Sequence, residues 1–297
     1  METRRPLIVD VRRASLADGP GIRTVVFFKG CPLRCVFCHN PETQLLGPEL
    51  AFAAERCLQC GACAQACPRE AIDLDSPARV DRARCDLCGQ CADVCPPGAL
   101  RLVGKYWPVE SLANLLLRDV AFYRHSGGGV TLSGGECTLF PDYLEALLQR
   151  LKARHVHVAL ETSGSFDYGP FQGKILPYLD LVLFDVKQPG LPILENLRKL
   201  LSEAGVEVRP RIPLIPAVTD SKENLEAIFT ALRCLGAHQV ELLPYNPLGL
   251  EMYPRLGRPE PDLAPGFVKP ERERELLDMI AEIVHAPAWA SPSTLNR

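Results

Sequence analysis

Short apolar runs rich in β-branched residues punctuate the chain at 24–28, 130–132, 156–160, 181–185, 206–212 and 240–243. Each is too brief for a buried helix and apolar on both faces, the pattern of strands inside a parallel sheet. Between them, apolar positions recur at helical spacing over 109–124, 141–154, 193–203 and 221–235, with Asp220 and Ser221 set to cap the last. Strand–helix units in this order predict an α/β fold, a partial (β/α)6 TIM-like barrel. A helix at 269–285 is expected to close it, with a loose, proline-bearing tail at 286–297. Only 48–106 breaks the alternation, so the barrel is expected over 1–47 and 107–297 with an inserted module between.

At 297 residues, 47% hydrophobic and 23% charged, the chain can bury one large core plus a small module. A net charge of -3 gives no basic surface for nucleic acid, and aromatics at 7% form no stacking platform. The apolar stretch after Met1-Glu2-Thr3-Arg4-Arg5 is too short for a signal peptide, and no run reaches membrane-spanning length. The expectation is a cytoplasmic protein without a membrane partner.

That compartment changes the meaning of the 13 cysteines, since a reducing environment favours metal ligation over disulfides for closely spaced thiols. Cys31, Cys35 and Cys38 form C-x3-C-x2-C. A structural zinc wants four protein ligands, whereas a 4Fe-4S cube held by three cysteines keeps one iron open. Cys57, Cys60, Cys63 and Cys67-Pro68 form C-x2-C-x2-C-x3-C-P, and Cys85, Cys88, Cys91 and Cys95-Pro96 repeat it. This is the bacterial two-cluster ferredoxin pattern, in which the fourth cysteine of each run ligates the other cluster. One cluster would take Cys57, Cys60, Cys63 and Cys95, the other Cys85, Cys88, Cys91 and Cys67. Zinc ribbons are the plainer reading of such tracts; the doubled spacing with trailing prolines speaks against them.

The run from Asp18-Gly19-Pro20-Gly21-Ile22-Arg23 through the three thiols to His39-Asn40-Pro41-Glu42 resembles the signature of radical S-adenosylmethionine (SAM) enzymes. Among these it is similar to the activating enzymes that install a glycyl radical on a partner. The resemblance covers essentially the whole chain. It implies that the open iron chelates the methionyl amino and carboxylate groups of SAM, and that electron transfer to the sulfonium releases a 5'-deoxyadenosyl radical. That radical would abstract hydrogen from a glycine in a C-terminal loop of a glycyl radical enzyme. Three 4Fe-4S clusters and SAM are the implied cofactors, with a low-potential donor such as flavodoxin or ferredoxin.

The same resemblance implies roles residue by residue. Phe37, Cys38 and His39 would meet SAM at the cluster loop, His39 through its backbone. Gly134, Gly135 and Glu136 would contact the methionyl amine; Asp185, Val186 and Lys187 would line the SAM site, with Lys187 near its carboxylate. Arg211 would face that carboxylate, and Arg209 alternates in phase with it. Asn246 stands where some relatives have histidine near the ribose or adenine; it can hydrogen-bond but not titrate. The plainer readings are a strand-to-helix turn for Gly-Gly-Glu and a strand-end salt bridge for Lys187.

Two departures stand out. The loop after Lys187 is reduced to Gln188-Pro189-Gly190-Leu191-Pro192, and Ala217 occupies a place where glycine is commoner. Of the remaining cysteines, Cys234 reads as a small buried hydrophobe; Cys137 reads as a tolerated small residue or, less plainly, a relay thiol at the barrel mouth. Two other functions fit the motifs: a radical SAM enzyme acting on a small molecule or another peptide, and an electron carrier that never cleaves SAM.

Overall fold

The computed structural model describes residues 5–187, 190–202, 205–237 and 239–284. The tail expected at 286–297, together with His238, His285 and the Gln188-Pro189 pair, lies outside the described residues. The chain opens with a strand that the apolar pattern did not reveal, β1 (Leu7–Ser15), whose second half is largely exposed and charged. β2 (Arg23–Lys29) runs antiparallel to it and is buried throughout. β3 (Glu49–Phe52) and β4 (Leu100–Val103) form a separate antiparallel pair, and β5 (Lys105–Tyr106) returns the chain to the main sheet against β1. After this excursion from the barrel, the chain has thus rejoined the main sheet by Lys105.

The remaining expected strands follow: β6 (Gly129–Gly134), β7 (His157–Thr162), β8 (Leu181–Asp185), β9 (Glu207–Leu214) and β10 (Glu241–Pro244). The main sheet has the order β10-β9-β8-β7-β6-β2-β1-β5, and every pairing from β2 to β10 is parallel. No pairing joins β10 to β5 among the described residues, so the six parallel strands form an open, partial barrel. No helix among the described residues is long and apolar enough to cross a membrane.

Helices Pro141–Lys152, Leu191–Ser202 and Lys222–Cys234 lie close to their expected positions. Ser221 caps the last of these by accepting from Asn224 N at 3.2 Å. The helix expected at 109–124 is two, Val109–Leu117 and Val120–Ser126, broken where Asp119 turns in to accept from Thr24 Oγ1 at 2.9 Å and Arg13 Nε at 2.8 Å. Tyr168–Lys174 was not expected; its glycines weaken the helical pattern. Cys234 is exposed, contrary to expectation, because the helix buries Leu225, Ile228, Phe229 and Leu232 and its final residue falls off that stripe.

Period-two alternation divides each barrel strand between two environments. Val130 and Leu132, Val158 and Leu160, Val182 and Phe184, and Ile212 and Leu214 belong to the large core. The opposite face carries Ala159, Leu181 and Leu183. In the same phase, toward the strand C-terminal ends, stand Ser133, Glu161, Asp185 and Arg211. The barrel interior thus changes from apolar to charged at the end where parallel α/β folds build their sites.

The excursion repeats in structure what it repeats in sequence. Gly61 and Gly89, at φ 78° and 82°, each open a four-residue helix, Ala62–Gln65 and Gln90–Asp93. Leu50, Phe52, Val80, Ala99 and Leu100 form a small core of their own, against which Cys57, Cys63, Cys85 and Cys95 pack.

Candidate active site

The three-thiol loop leaves β2 at its C-terminal end and is tied back at both sides. Gly30 N donates to Thr43 O at 2.7 Å and Cys31 N to Gln44 O at 3.0 Å. From β6, Gly135 N donates to Phe28 O at 2.9 Å and Glu136 N to Gly30 O at 2.7 Å. A Cβ on Gly135 would lie 2.1 Å from Gly30 O, so glycine is required for this approach. Loops after β10 cover the other flank. Gly249 packs on the backbone of His39, Tyr253 Oη donates to Val36 O at 3.3 Å, and Asn246 hydrogen-bonds the His39 side chain.

Beneath the loop lies an ion cluster that sequence reading missed. Lys29 is fully buried; its Nζ donates to Glu42 O and to Glu49 Oε2, both at 2.6 Å, while Arg258 pairs with Glu49 and donates to Pro41 O at 2.9 Å. Burial pushes the Lys29 ammonium below its ordinary range, and the bond to Glu49 opposes that. A charged residue ending an otherwise buried strand was the available signal.

Four charged residues form a network in the barrel interior, and two of them, Lys187 and Asp185, lie near the thiols. Arg211 donates through Nη1 to Glu161 Oε1 at 2.8 Å and through Nε to Asp185 Oδ1 at 2.8 Å; Lys187 Nζ lies 2.8 Å from Asp185 Oδ2. Ser133 Oγ completes the row on Glu161. Burial works against the Asp185 carboxylate, but Arg211 and Lys187 hold it below its ordinary range; Lys187 is raised because Asp185 outweighs burial. Val186 is fully buried, its N–H donating to Arg211 O at 2.8 Å. Glu161 was missed as a site residue, although its phase opposite Leu160 and Thr162 marks it as inward-facing. Arg209 shares that face but pairs with Glu207 at 2.6 Å, away from the network.

Glu136 does not extend toward this space. It is fully buried, and its carboxylate accepts from Thr138 Oγ1 at 2.8 Å, Thr162 Oγ1 at 2.9 Å, Ser163 N at 3.1 Å and Ser163 Oγ at 2.8 Å. What the Gly134-Gly135-Glu136 segment leaves to a ligand is backbone, and the acid pins the ends of β6 and β7 together. Burial pushes it above the usual carboxylate range, against the pull of those donors. Cys137 is likewise fully buried in the large core, away from the barrel mouth. Of the scattered histidines, His125 and His155 are exposed and His157 Nδ1 lies 3.4 Å from Arg23.

All thirteen cysteines are free thiols. Burial pushes Cys31, Cys35 and Cys38 up, the last to about 12, while Lys187 pulls each back. Partly buried thiols beside a fixed cation suit a group that brings its own positive charge, as iron does. In the excursion, one cavity is lined by Cys57, Cys60, Cys63 and Cys95, drawn from both halves of the repeat. Cys91 neighbours Cys85, Cys88 and, from the other half, Cys67 and Cys63. Among the described residues no three of these side chains converge as they would on a single metal ion; they bound spaces instead.

A family model described as a 4Fe-4S single cluster domain matches residues 17–188. The chain is 44% identical to the benzylsuccinate synthase activating enzyme of Thauera aromatica, over 85% of this chain and 82% of that one. It is 39% identical to the trans-4-hydroxy-L-proline dehydratase activating enzyme of Clostridioides difficile (84% and 88% covered). Against the pyruvate formate-lyase 2-activating enzyme of Escherichia coli K12 the identity is 38% (87% and 84% covered). With these relatives matched over 84–87% of its length, the chain belongs to the glycyl-radical enzyme activating enzymes, radical SAM oxidoreductases that work with a 4Fe-4S cluster and S-adenosylmethionine.

Proposed function

We propose that Cys31, Cys35 and Cys38 hold the cluster whose fourth iron is left to SAM, and that the charged strand ends receive the rest of that molecule. The observation that carries this reading is the chain Glu161–Arg211–Asp185–Lys187, formally neutral and set against the three-thiol loop. A zwitterionic amino-acid moiety can dock there without leaving net charge buried, because each cation already has its counter-charge. Arg211 and Lys187 would take the carboxylate, and the Gly134–Gly135 backbone the amine. Phe37, Cys38 and the His39 backbone would bound the pocket on the loop side, with Asp185 and Val186 opposite. Asn246, held by His39, would give hydrogen bonds to ribose or adenine and no proton transfer.

When bound and reduced, cluster and cofactor supply a 5'-deoxyadenosyl radical competent to take hydrogen from a partner glycine. The chain's own task is to orient the methionyl moiety, exclude water and admit a glycine loop near the partner's C-terminus. We further infer that residues 48–104 are a ferredoxin-like module inserted in the barrel of 1–47 and 105–297. One cluster would sit on Cys57, Cys60, Cys63 and Cys95, and another on Cys85, Cys88, Cys91 and Cys67. The cavity walled by thiols of both halves supports this pairing, which brings the clusters to three. A cytoplasmic flavodoxin or ferredoxin would be the electron source.

Iron and sulfide analysis tests this assignment. Three 4Fe-4S clusters require about twelve iron per chain, falling to about eight when Cys31, Cys35 and Cys38 are replaced by alanine. A full-length protein that saturates near four iron would refute the module.

A further inference from the structure

The repeat is symmetric in its thiols but not in its charges. Arg79 precedes Cys85 by the same interval as Ala51 precedes Cys57, so the two are counterparts. Arg79 is only 5% exposed, and it lines the cavity bounded by Cys57, Cys60, Cys63 and Cys95. Its Nη2 lies 3.9 Å from Cys57 Sγ, within reach of a sulfur acceptor, and its guanidinium stacks 5.2 Å from the Phe52 ring centre. Nη1 donates to Asp73 O at 3.4 Å, whereas the buried Nε has no hydrogen-bond partner in the protein. Its backbone holds φ at 60°, a left-handed conformation that a side-chain-bearing residue adopts at a cost. A buried, incompletely paired cation on a strained backbone, facing thiols, calls for an anionic partner that those thiols would supply.

The counterpart Ala51 offers no charge to the other thiol set. Arg82 lies near Cys85, but its fork is engaged by Leu50 O at 2.9 Å and Arg255 O at 3.3 Å. Beside Cys88 stands a carboxylate, Asp86, which accepts from Cys88 N at 3.2 Å and pairs with Arg69; its counterpart in the first half is Leu58. Reduction potentials of iron–sulfur clusters rise with nearby positive charge and with hydrogen bonds to sulfur.

We propose that Arg79 is a positioning residue for electrons: it raises the potential of the cluster on Cys57, Cys60, Cys63 and Cys95 above that of its partner in the module. An electron entering the module then settles on that cluster. This inference rests on the two-cluster reading of residues 48–104. Phe52 walls the Cys57 cavity and also lines the groove facing the loop after β10.

The test is an anaerobic redox titration followed by electron paramagnetic resonance on the full-length, reconstituted chain. Alanine at Cys31, Cys35 and Cys38 removes the third signal. With Arg79 intact, two midpoints are expected. Arg79→Met should lower the higher one alone, changing the electron-sharing constant between the clusters by about tenfold or more, about 59 mV for one electron. Arg79→Lys should restore part of the separation. Equal midpoints before substitution, or unchanged midpoints in Arg79→Met at full iron content, would overturn the proposal. So would iron loss in both variants, which would make Arg79 a scaffold residue. Iron near zero with Arg79 intact would instead fault the two-cluster reading, and the proposal with it.

Discussion

Arg211 and Asp185 meet across β9 and β8 with Nε and Nη2 both on Oδ1, at 2.8 and 2.7 Å, leaving Oδ2 to Lys187. One guanidinium, itself buried, therefore holds two inward acids, Asp185 and Glu161, that are partly open to solvent. Arg211→Met leaves the Glu161 carboxylate without a cation and Asp185 with Lys187 alone. It should cost about 3–5 kcal/mol of stability, as breaking a buried ion network does, and weaken SAM binding at least about tenfold, or 1.4 kcal/mol. Denaturant unfolding and calorimetric SAM titration read the two effects. Unchanged SAM affinity would remove Arg211 from the site.

Glu136 is expected to behave as a structural acid. Glu136→Ala leaves the hydroxyls of Thr138, Thr162 and Ser163 without their acceptor and should destabilise by about 3 kcal/mol. Glu136→Gln keeps one acceptor oxygen and should cost about half as much. SAM affinity measured on the folded Gln variant should change less than about threefold, below 1 kcal/mol. A loss as large as that of Arg211→Met would mean that the carboxylate itself reaches the cofactor.

Two backbone substitutions should differ sharply in severity. Gly135→Ala must displace the strand that carries Gly30, and should lower SAM affinity and cluster retention together. Ala217 holds φ at 60° after β9, where glycine is the natural occupant. Ala217→Gly trades that strain for extra chain entropy and should stay within about 1 kcal/mol of the parent. Thermal unfolding ranks them; a harmless Gly135→Ala would contradict the tight seating of the loop.

Acid stability should depend on Asp119. Its bonds to Arg13 and Thr24 hold the carboxylate below the ordinary range, despite burial. A depressed folded-state value contributes stability above the unfolded pKa of about 3.9 and loses it as pH falls through the folded value. Asp119→Asn should cost about 2 kcal/mol at pH 7, and the gap to the parent should close below pH of about 4. A gap independent of pH would show that Asp119 is not the titrating group.

The parallel strands were legible because burial on both faces writes continuous apolar runs, and the thiol groups because metal ligation needs short, fixed spacings. β1 was not legible: Arg12 and Arg13 make its second half polar and exposed, although β2 pairs with it as far as Ser15. The helix break at Asp119 depends on Thr24 and Arg13, both distant in sequence, so no local pattern announces it. Glu161 could have been read from period two alone. Lys29 stood out only as a charge ending a buried strand, and its pairing with Glu49 and Arg258 could not be read, since it exists only once the loop after β10 folds back. The direction of the Glu136 carboxylate was not legible, because Thr162 and Ser163 arrive from the end of β7 to claim it.

The most direct measurement is 5'-deoxyadenosine formation by anaerobically reconstituted protein given dithionite and SAM. The intact chain should release it, and the variant with alanine at Cys31, Cys35 and Cys38 should release none while keeping the module's iron. Equal product from that variant, or none from the intact chain at full iron content, would contradict a SAM-splitting cluster on these three thiols.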